Sequence, residues 1–366
     1  MIRVAQVIWS GNFGGIEKLA IDLCSAQMKN SELQPELVIG KKEGEYLETL
    51  SARNLIVHFI GLKSGFDFSQ VRYKKLKAIF KDVDIIHLHY FNLLVAHAAV
   101  RSGKKIIYTE HGNFGFGRKK KLTDRLNYFL LGRFLRRHAD YVTFNSQFTE
   151  HVAVHRYSLK NEKREVVYNG IDLSSPATSE SIDSELKEKL EGKFVVGTSS
   201  RFAGFKRIDR LLKAFSKFQE GKNTVLLLAG DGVLRDKLQQ LAWELKISDK
   251  TIFTGYRKDI RPLQQSMDIA VFPSEHEPFG LVAIEALSLG KPVLVFEDGG
   301  GMSEIIEQVT PDDIAKDEGM LVERMNYYYE NRDEIAKRKQ DRINFAKEFD
   351  INVMEKKLFR IYKSII

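Results

Sequence analysis

The chain has 366 residues, of which 43% are hydrophobic and 29% charged, and a formal net charge of +8. This length predicts two domains, because single cores stop growing at roughly 250–300 residues. The composition excludes a collagen-like or disordered chain, and the single cysteine excludes an internal disulfide. We expect a cytoplasmic protein, because no run approaches the roughly 18 apolar residues of a spanning helix and the first residues lack a signal-peptide layout.

Short apolar strands alternate with amphipathic helices in the first half. The predicted strands are IRVAQVI, PELVIG, LIVHFI, VDIIHLH, KKIIYTE, YVTFN and EVVYN. Nearly continuous apolar strands separated by helices indicate a parallel sheet that is covered on both faces. The first predicted domain spans residues 1–172.

A Ser-rich and then charged segment, residues 173–193, is predicted to be a linker region. A second cycle of strands follows in residues 194–345: KFVVGTS, TVLLLAG, KTIFTG, DIAVFP and KPVLVF. The last segment, residues 346–366, is predicted to be an amphipathic helix that packs back on the first domain. Two such α/β domains are expected to place the carboxyl ends of their sheets at a shared cleft, where ligands bind.

Two glutamates in PSEHEPFGLVAIEALSLGKPV, Glu277 and Glu285, have seven residues between them. Pro278 is predicted in a helix's first turn, and Gly280 opens an amphipathic run. Eight residues of helix separate the two backbones by roughly 12 Å, whereas a retaining glycosidase needs its carboxyl groups about 5 Å apart. The pair is therefore interpreted as two anchors for an extended polar ligand, with N–H groups at 279–281 for an anion, or as ordinary surface glutamates.

Two loops that follow strands contain candidate ligand contacts. Arg201 and Lys206 flank RFAGFK and could neutralise a diphosphate without a metal, although Lys206 could also be a solvated residue at a helix start. The loop SGNFGGIE carries Gly11, Gly14 and Gly15, which allow close approach to a phosphate or sugar. It does not match G-x-G-x-x-G, so a dinucleotide fingerprint is absent.

His111 stands at the end of a strand in TEHGNFG. A single histidine among nine is more often structural than catalytic. Its position at the edge where the cleft is expected makes it a candidate.

The second half closely resembles the family-4 retaining glycosyltransferases of the GT-B fold. The similarity lies in TSSRFAGFKRIDRLLKAF, LLLAGDGVLRDKLQQLA, TIFTGYRKDI, FPSEHEPFGLVAIEALSLGKPV and GGGMSEII, in that order. The first half is similar more loosely, through FGGIEKLA, TEHG, YVTFNSQF and VVYNGID. The resemblance covers residues 2–306 and implies an α/β protein of the GT-B fold, with two doubly wound Rossmann-like domains facing across a cleft.

The resemblance implies a retaining, metal-independent glycosyltransferase of the hexosyltransferase type. It would move a hexose or N-acetylhexosamine from a nucleotide-diphosphate sugar to a hydroxyl of a lipid-linked saccharide in cell-surface glycan biosynthesis. No cofactor is expected, and a UDP-sugar is preferred over a GDP-sugar as the donor. The implied catalytic residues are Glu277, His111, Arg201 and Lys206. The implied donor-binding residues are Gly14, Gly15, Arg201, Lys206, Tyr256, Arg257, Glu277, Phe279, Gly280, Leu281 and Glu285.

The family's roles divide this set between the nucleotide and the sugar. Glu285 would accept hydrogen bonds from the ribose hydroxyls, Tyr256 and Arg257 would contact the base through backbone atoms, and Gly15 would approach the diphosphate.

At the sugar, Glu277 would face its hydroxyls and His111 would lie beside it. Arg201 and Lys206 would balance the diphosphate as the leaving-group charge develops. Attack from the front face, assisted by the departing phosphate, is expected rather than a glutamate nucleophile.

One segment departs from the family pattern. After Glu304, SEIIEQVTPDDIAKDEGMLVERM lacks the family's short Gly-containing strand and Pro-rich turn, and passes through Pro311 into helix-like sequence.

The positive charge is concentrated between residues 118 and 138. Eight basic residues stand there against Asp124, which accounts for +7 of the net +8: Arg118, Lys119, Lys120, Lys121, Arg125, Arg133, Arg136 and Arg137. One helical face is predicted to carry Leu122, Leu126, Phe129, Leu130 and Phe134, with Arg133 among them. The segment is interpreted as a solvated helix, as a surface that docks on an anionic membrane, or as a site for an acidic acceptor. No nucleic-acid motif accompanies it.

Other classes of protein share this fold. A sugar-nucleotide epimerase would bind the same diphosphate without an acceptor, and a non-catalytic binding protein would hold the nucleotide sugar without turnover. A dehydrogenase is disfavoured by the missing glycine fingerprint.

Overall fold

The computed structural model describes residues 1–366 except 13, 66, 113, 116–121, 161, 174–181 and 258–259. The chain forms two compact units: Met1–Asp172 together with Asp350–Ile366, and Leu173–Phe349. The second unit extends to Phe349 because the Phe349 ring packs on Phe279 and Phe345, with centroids 6.0 Å and 5.3 Å away. The described part of the segment predicted as a linker belongs to the second unit and contains a helix.

The first unit is built on seven parallel strands: β1 (Ile2–Ile8), β2 (Leu33–Ile39), β3 (Ile56–Phe59), β4 (Ile85–Leu88), β5 (Lys105–Glu110), β6 (Tyr141–Phe144) and β7 (Arg164–Val166). Their order in the sheet is β3-β2-β1-β4-β5-β6-β7. The direction in which the strands are added reverses between β1 and β4. These two strands pair in parallel, with Val4 of β1 opposite Ile85 of β4. In such sheets ligands bind at the carboxyl ends beside this switch point.

The second unit repeats the design with six parallel strands: β8 (Phe194–Ser199), β9 (Thr224–Ala229), β10 (Thr251–Gly255), β11 (Ile269–Phe272), β12 (Val293–Phe296) and β13 (Ile314–Ala315). The order is β10-β9-β8-β11-β12-β13, so the switch point lies between β8 and β11. Residues of β8, β9, β11 and β12 are buried throughout, as expected for strands covered on both faces.

Helices connect the strands in both units. They are α1 (Gly15–Gln27), α2 (Leu47–Leu50), α3 (Gln70–Lys81), α4 (Leu93–Ser102), α5 (Leu122–His138), α6 (Gln147–Tyr157), α7 (Ser184–Leu190), α8 (Ile208–Phe218), α9 (Arg235–Glu244), α10 (Arg261–Ser266), α11 (Leu281–Ser288), α12 (Gly301–Glu307), α13 (Glu318–Glu330), α14 (Arg332–Lys337), α15 (Lys339–Ala346) and α16 (Ile351–Ile365). Within the described residues, no helix has the length and apolarity that crossing a membrane requires.

The C-terminal helix α16 is part of the first unit's core. Its apolar side, with Met354, Leu358 and Ile361, packs on Leu19 and Leu23 of α1. The Asp350 carboxylate caps α16 by accepting from the Asn352 N–H. The start of α16 can lie close to Gly170 because glycine has no Cβ. A Cβ there would come within 2.6 Å of the Ile351 Cα.

The α/β architecture predicted from the sequence is confirmed, and each predicted strand is present. The sequence pattern missed β13, which lies within the segment after Glu304 that was predicted to be helix-like. This strand has two residues and exists through its pairing with β12, Ile314 opposite Val295 and Ala315 opposite Phe296. Two residues carry no periodic signal, so only the sheet reveals the strand.

Candidate active site

A cavity of about 210 Å³ opens at the carboxyl edge of the second unit's sheet. It is lined by residues from the ends of β8, β9 and β10 and from the first turns of α10 and α11: Ser199, Ser200, Arg201, Ala229, Gly230, Asp231, Tyr256, Arg257, Ile260 and Val282. Three of these, Arg201, Tyr256 and Arg257, are residues that the sequence singled out. The structure therefore brings together side chains from two separate motifs.

Glycines allow the loops around the cavity to pack closely. Gly230 has φ +149°, and a Cβ there would overlap the carbonyl oxygen of Ser200. Gly232 has φ +156°, and its Cβ would lie 2.6 Å from the Phe202 carbonyl oxygen. The loop after β8 is held against this turn by the Phe202 N–H, which donates to the Asp231 carbonyl at 2.8 Å. The LAGDG sequence thus shapes the cavity wall.

Asp231 is a cavity residue that the sequence analysis did not single out. Its carboxylate accepts from the Gly232 N–H and from the Arg235 guanidinium, both at 2.7 Å. These two hydrogen bonds, first the backbone one, hold the pKa of Asp231 below its ordinary value. The sequence did contain a signal for this residue: in GDG an aspartate stands between two glycines directly after an apolar strand, where ligands of such sheets bind.

Tyr256 and Arg257 form the rim of the cavity on the β10 side. The Tyr256 side chain is exposed, and the Arg257 guanidinium pairs with the Asp183 carboxylate at 3.0 Å. Asp183 also caps α7, accepting from the Leu186 N–H at 2.8 Å. A residue of the segment predicted as a linker thus anchors one of the predicted base-binding residues.

Lys206 and Glu277, which are 71 positions apart in sequence, form an ion pair with Nζ and Oε2 at 2.6 Å. Their side chains are only 12% and 13% exposed. Lys206 is therefore not a solvated residue at a helix start: it ends a short turn, Gly204–Lys206, before α8 begins. The ion pair thus joins Lys206, the residue predicted to contact the diphosphate, to Glu277, the residue predicted to contact the sugar.

The loop that carries Glu277 is held by the glycines of the GGG sequence. The Gly301 N–H donates to the Glu277 carbonyl at 2.8 Å, and the His276 N–H donates to the Asp298 carbonyl at 2.8 Å. Gly300 adopts φ +66° and ψ −129°, a conformation that is restricted to glycine. On the other side, the Glu275 N–H donates to the Phe205 carbonyl at 2.9 Å, so this loop and the Lys206 loop support each other.

Helix α11 starts later than the sequence predicted. Pro278 precedes the helix instead of standing in its first turn, and Gly280 is the N-cap with φ +97°. A φ of +97° is not helical and strains any residue except glycine, so Gly280 and not the proline sets the start. Phe279 is buried and Leu281 begins the helix, which presents the N–H groups of its first turn beside the cavity residue Val282.

Glu285 stands on the second turn of α11 and is half-buried. It is not one of the described residues that line the cavity. Its predicted contact with ribose hydroxyls stays a prediction.

The first unit holds Gly14, Gly15 and His111. Gly14 is the N-cap of α1 in an extended conformation, and Gly15 is the first residue of this helix, which follows β1 after a six-residue loop. The nearest obstacle to a Cβ on Gly14 is the flexible end of Glu17, so packing alone does not demand glycine there.

His111 follows β5 and is buried. Its Nε2 lies 3.0 Å from the His89 Nδ1. Burial lowers the pKa of His111 to about 3, so the ring is neutral.

The basic segment falls partly outside the described residues, since Arg118, Lys119, Lys120 and Lys121 lie in 116–121. The four arginines on α5 are exposed: Arg125, Arg133, Arg136 and Arg137. The predicted apolar face is corrected, because α5 packs on its unit through Leu131, Phe134 and Leu135. Leu126 and Phe129 instead stay 49% and 62% exposed, on the same side as the arginines.

Two family profiles match this chain. Glycosyltransferase Family 4 matches residues 13–175, and Glycosyl transferases group 1 matches residues 180–349. Among solved structures, the chain is similar to the Anabaena protein HepE, with a TM-score of 0.83, 22% identity and 100% coverage of both chains. The fold is therefore GT-B.

The chain belongs to the family-4, group 1 glycosyltransferases. It is 32% identical over 178 residues to an uncharacterized glycosyltransferase of Methanocaldococcus jannaschii, covering 43% of this chain and 45% of that protein. It is 25% identical over 316 residues, 83% of each chain, to the N-acetylgalactosamine-N,N'-diacetylbacillosaminyl-diphospho-undecaprenol 4-alpha-N-acetylgalactosaminyltransferase of Campylobacter jejuni. The match to the first relative thus spans less than half of its length.

Proposed function

We propose that this protein transfers a hexose or N-acetylhexosamine from a nucleotide-diphosphate sugar to a saccharide hydroxyl, retaining the anomeric configuration and using no metal. The observation that carries the proposal is the meeting of Lys206 and Glu277 at the same sheet edge as the Arg201-lined cavity. A nucleotide sugar needs cations for its diphosphate and oxygen acceptors for its sugar hydroxyls.

In the proposed donor complex the cavity holds the nucleotide. Tyr256 and Arg257 stand where the base would bind, and Glu285 accepts from the ribose hydroxyls. Arg201 and Lys206 balance the diphosphate, aided by the first-turn N–H groups of α11.

In the proposed reaction the bond between the anomeric carbon and the diphosphate oxygen breaks. The acceptor oxygen bonds to that carbon on the same face, and the acceptor proton passes to the departing phosphate. Arg201 and Lys206 stabilise the charge that develops on the leaving group. Glu277 serves as a hydrogen-bond acceptor and not as a nucleophile, because its carboxylate already pairs with Lys206 at 2.6 Å.

We propose UDP as the nucleotide, since the similar protein HepE has been solved in complex with UDP and glucose. Calorimetric titration of UDP and of GDP in EDTA tests this choice. We expect UDP to bind and Glu285→Ala to weaken binding by about 10- to 100-fold, the loss of hydrogen bonds to a charged group. Glu307→Ala, an exposed glutamate on α12, is the control and should bind like the wild type.

Incubation with UDP-sugars and an acceptor panel then tests turnover. A glycosylated acceptor with retained configuration supports the transferase. An altered free nucleotide sugar without acceptor would instead identify an epimerase, and binding without any product would identify a binding protein.

We further propose a lipid-linked acceptor for a cell-surface glycan, reached from the inner face of an anionic membrane. The Campylobacter relative is named for a diphospho-undecaprenol acceptor. On α5, Leu126 and Phe129 are exposed among four arginines, a combination that favours an anionic lipid surface.

Co-sedimentation with vesicles of anionic and of zwitterionic lipid tests the membrane proposal. We expect binding to anionic vesicles only, and its loss in the Leu126→Ser/Phe129→Ser double variant. The matched control is Phe68→Ser/Val71→Ser, which removes two apolar side chains of greater exposure from another part of the same unit. Equal loss in both double variants would reject α5 as the docking surface.

A further inference from the structure

A chain of buried hydrogen bonds crosses the first unit from α16 to His111. It runs from Tyr362 through Gln6 and His89 to His111, and a branch leads through His87 to two threonines. The members lie in or directly after four strands and two helices, β1, β4, β5, β6, α1 and α16, and are at most 8% exposed: Gln6, Gln27, His87, His89, Thr109, His111, Thr143 and Tyr362. Buried polar groups of this kind need complete pairing, so the direction of each bond is constrained.

The direction is set first at Gln6. Its Nε2 donates to the Gln27 Oε1 and to the Tyr362 hydroxyl oxygen, both at 3.0 Å. Both amide protons are then used, and the Gln6 Oε1 is left to accept. The group within reach of that oxygen is the His89 Nε2, at 2.8 Å, which must therefore carry a proton.

The same reasoning passes along the two rings. A neutral His89 with its proton on Nε2 has an unprotonated Nδ1, which accepts from the His111 Nε2 at 3.0 Å. His111 then carries its own proton on Nε2, and its Nδ1 is a bare acceptor. This Nδ1 is buried and has no hydrogen-bond partner within the described part of the chain.

The branch accounts for the remaining proton of Tyr362. Because its oxygen accepts from Gln6 and from the Gln27 Nε2 at 3.2 Å, its single O–H donates to the His87 Nδ1 at 2.8 Å. The His87 Nε2–H then donates to Thr109 Oγ1 at 2.6 Å, and Thr109 donates to Thr143 at 2.6 Å. One tyrosine hydroxyl thus orients both branches.

All three rings stay neutral, as this pattern requires. Burial lowers the pKa of His87 and of His111 to about 3, and lowers that of His89 well below its ordinary value. At neutral pH the His111 Nδ1 is too weak a base to remove a proton from a hydroxyl. It can accept a hydrogen bond from one.

We propose that Tyr362 is a positioning residue: through Gln6 and His89 it holds His111 in the tautomer whose unprotonated Nδ1 accepts a hydrogen bond from a substrate hydroxyl. The proposal deepens the proposed function and rests on it for the sugar ligand. Tyr362 does not touch the substrate. It belongs to the C-terminal helix, which thereby takes part in arranging the first unit's ligand edge.

The tautomer is measured directly by NMR of protein labelled with ¹⁵N-histidine, in which the couplings between ring nitrogens and ring protons identify the protonated nitrogen. We expect wild-type His89 and His111 to carry their protons on Nε2. In Tyr362→Phe we expect His111 to populate the other tautomer. An unchanged His111 signature in this variant would overturn the proposal, whether or not the protein has the proposed activity.

Thr143→Val is the matched control. It removes a buried hydroxyl from the far end of the other branch and should leave the His111 tautomer unchanged while costing comparable stability. If Tyr362→Phe does not fold, Gln27→Met replaces it, because this variant removes the acceptor of the Gln6 N–H without altering α16.

Kinetics with the sugar then test the ligand. We expect kcat with a UDP-sugar to fall about tenfold in Tyr362→Phe, the loss of one hydrogen bond, and to change little in Thr143→Val. We then compare monodeoxy analogues of the donor and of the acceptor. For one analogue, loss of the hydroxyl should lower the activity of the wild type but cause no additional loss in Tyr362→Phe. Full additivity for every analogue would reject the contact between His111 and a hydroxyl.

Discussion

The carboxyl edges of the two sheets differ in their most prominent groups of side chains. In the second unit the edge is ionic: Lys206 pairs with Glu277, Arg235 with Asp231, and Arg257 with Asp183. In the first unit the central strands β4 and β5 lead into a buried row of neutral imidazoles that ends at His111.

The two kinds of group suit different ligand chemistry. Paired cations can exchange their protein carboxylates for a diphosphate, so an ionic edge suits a charged ligand group. A neutral hydrogen-bond chain has a fixed direction and suits hydroxyl groups, which a charge does not orient as strictly. Four predictions would break or sharpen this contrast.

The largest effect is expected from Lys206→Met. The variant removes a cation from the leaving group and leaves Glu277 unpaired at 13% exposure. We expect kcat/KM for the donor to fall by about 10²–10³-fold. Lys213→Met, an exposed lysine on α8, is the control in the same assay and should retain wild-type activity. If Lys206→Met keeps wild-type kinetics, the Lys206–Glu277 ion pair is not part of the active site.

Gly230→Ala should destabilise the second unit. Both Gly230 and Gly221 have positive φ, but a Cβ meets the Ser200 carbonyl at the first and open space at the second. We expect a loss of about 3 kcal/mol or more in the free energy of unfolding for Gly230→Ala, and about 1–2 kcal/mol for Gly221→Ala. Urea denaturation measures both. Equal losses would show that close packing of the GDG turn does not shape the cavity.

Acid should weaken the first unit before the second. The folded pKa of His87 and of His111 is about 3, and that of His89 is also lowered, so the unfolded chain binds more protons below its pKa of about 6.5. Their contribution is complete above pH 6.5 and is lost as pH falls, by up to about 1.4 kcal/mol per pH unit for each ring. Burial raises the pKa of Glu110, so this carboxyl makes the folded state more stable as pH falls. It is a single group, and the three imidazoles act in the opposite direction.

Hydrogen exchange between pH 7.5 and 5, corrected for the intrinsic pH dependence, tests the order. Peptides from β4 should lose protection before peptides from β9, because the second unit contains a single histidine, His276. Earlier loss in β9 would contradict the assignment of neutral buried rings to the first unit.

The smallest effect is expected from Asp183→Asn. The variant removes the charge that pairs with Arg257 but keeps an N-cap acceptor for α7, since asparagine caps as well as aspartate. Both partners are well exposed, so we expect UDP affinity to change by less than about twofold. A larger change would show that Arg257 must be held in place to bind the nucleotide.

Much of this site could be predicted from sequence because its parts lie at strand ends. Arg201, Tyr256 and Arg257 each follow an apolar strand, and parallel strands bring their carboxyl ends to one edge. Asp231 obeys the same rule but was not predicted, because the GDG sequence served only as part of the family resemblance. The predicted start of α11 was wrong, because proline suits a first turn, whereas Gly280 adopts a non-helical φ of +97° and the helix begins only at Leu281.

By itself the sequence determined the two α/β units, the family, and the strand ends at which ligands are expected, because these depend on local periodicity and on short runs of consecutive residues. Tertiary structure alone decided the Lys206–Glu277 pair, the two-residue β13 and the bond between Gln6 and Tyr362, which are 356 positions apart. These contacts depend on where the fold brings distant segments together. No periodicity in either segment specifies its partner or the direction of its hydrogen bonds.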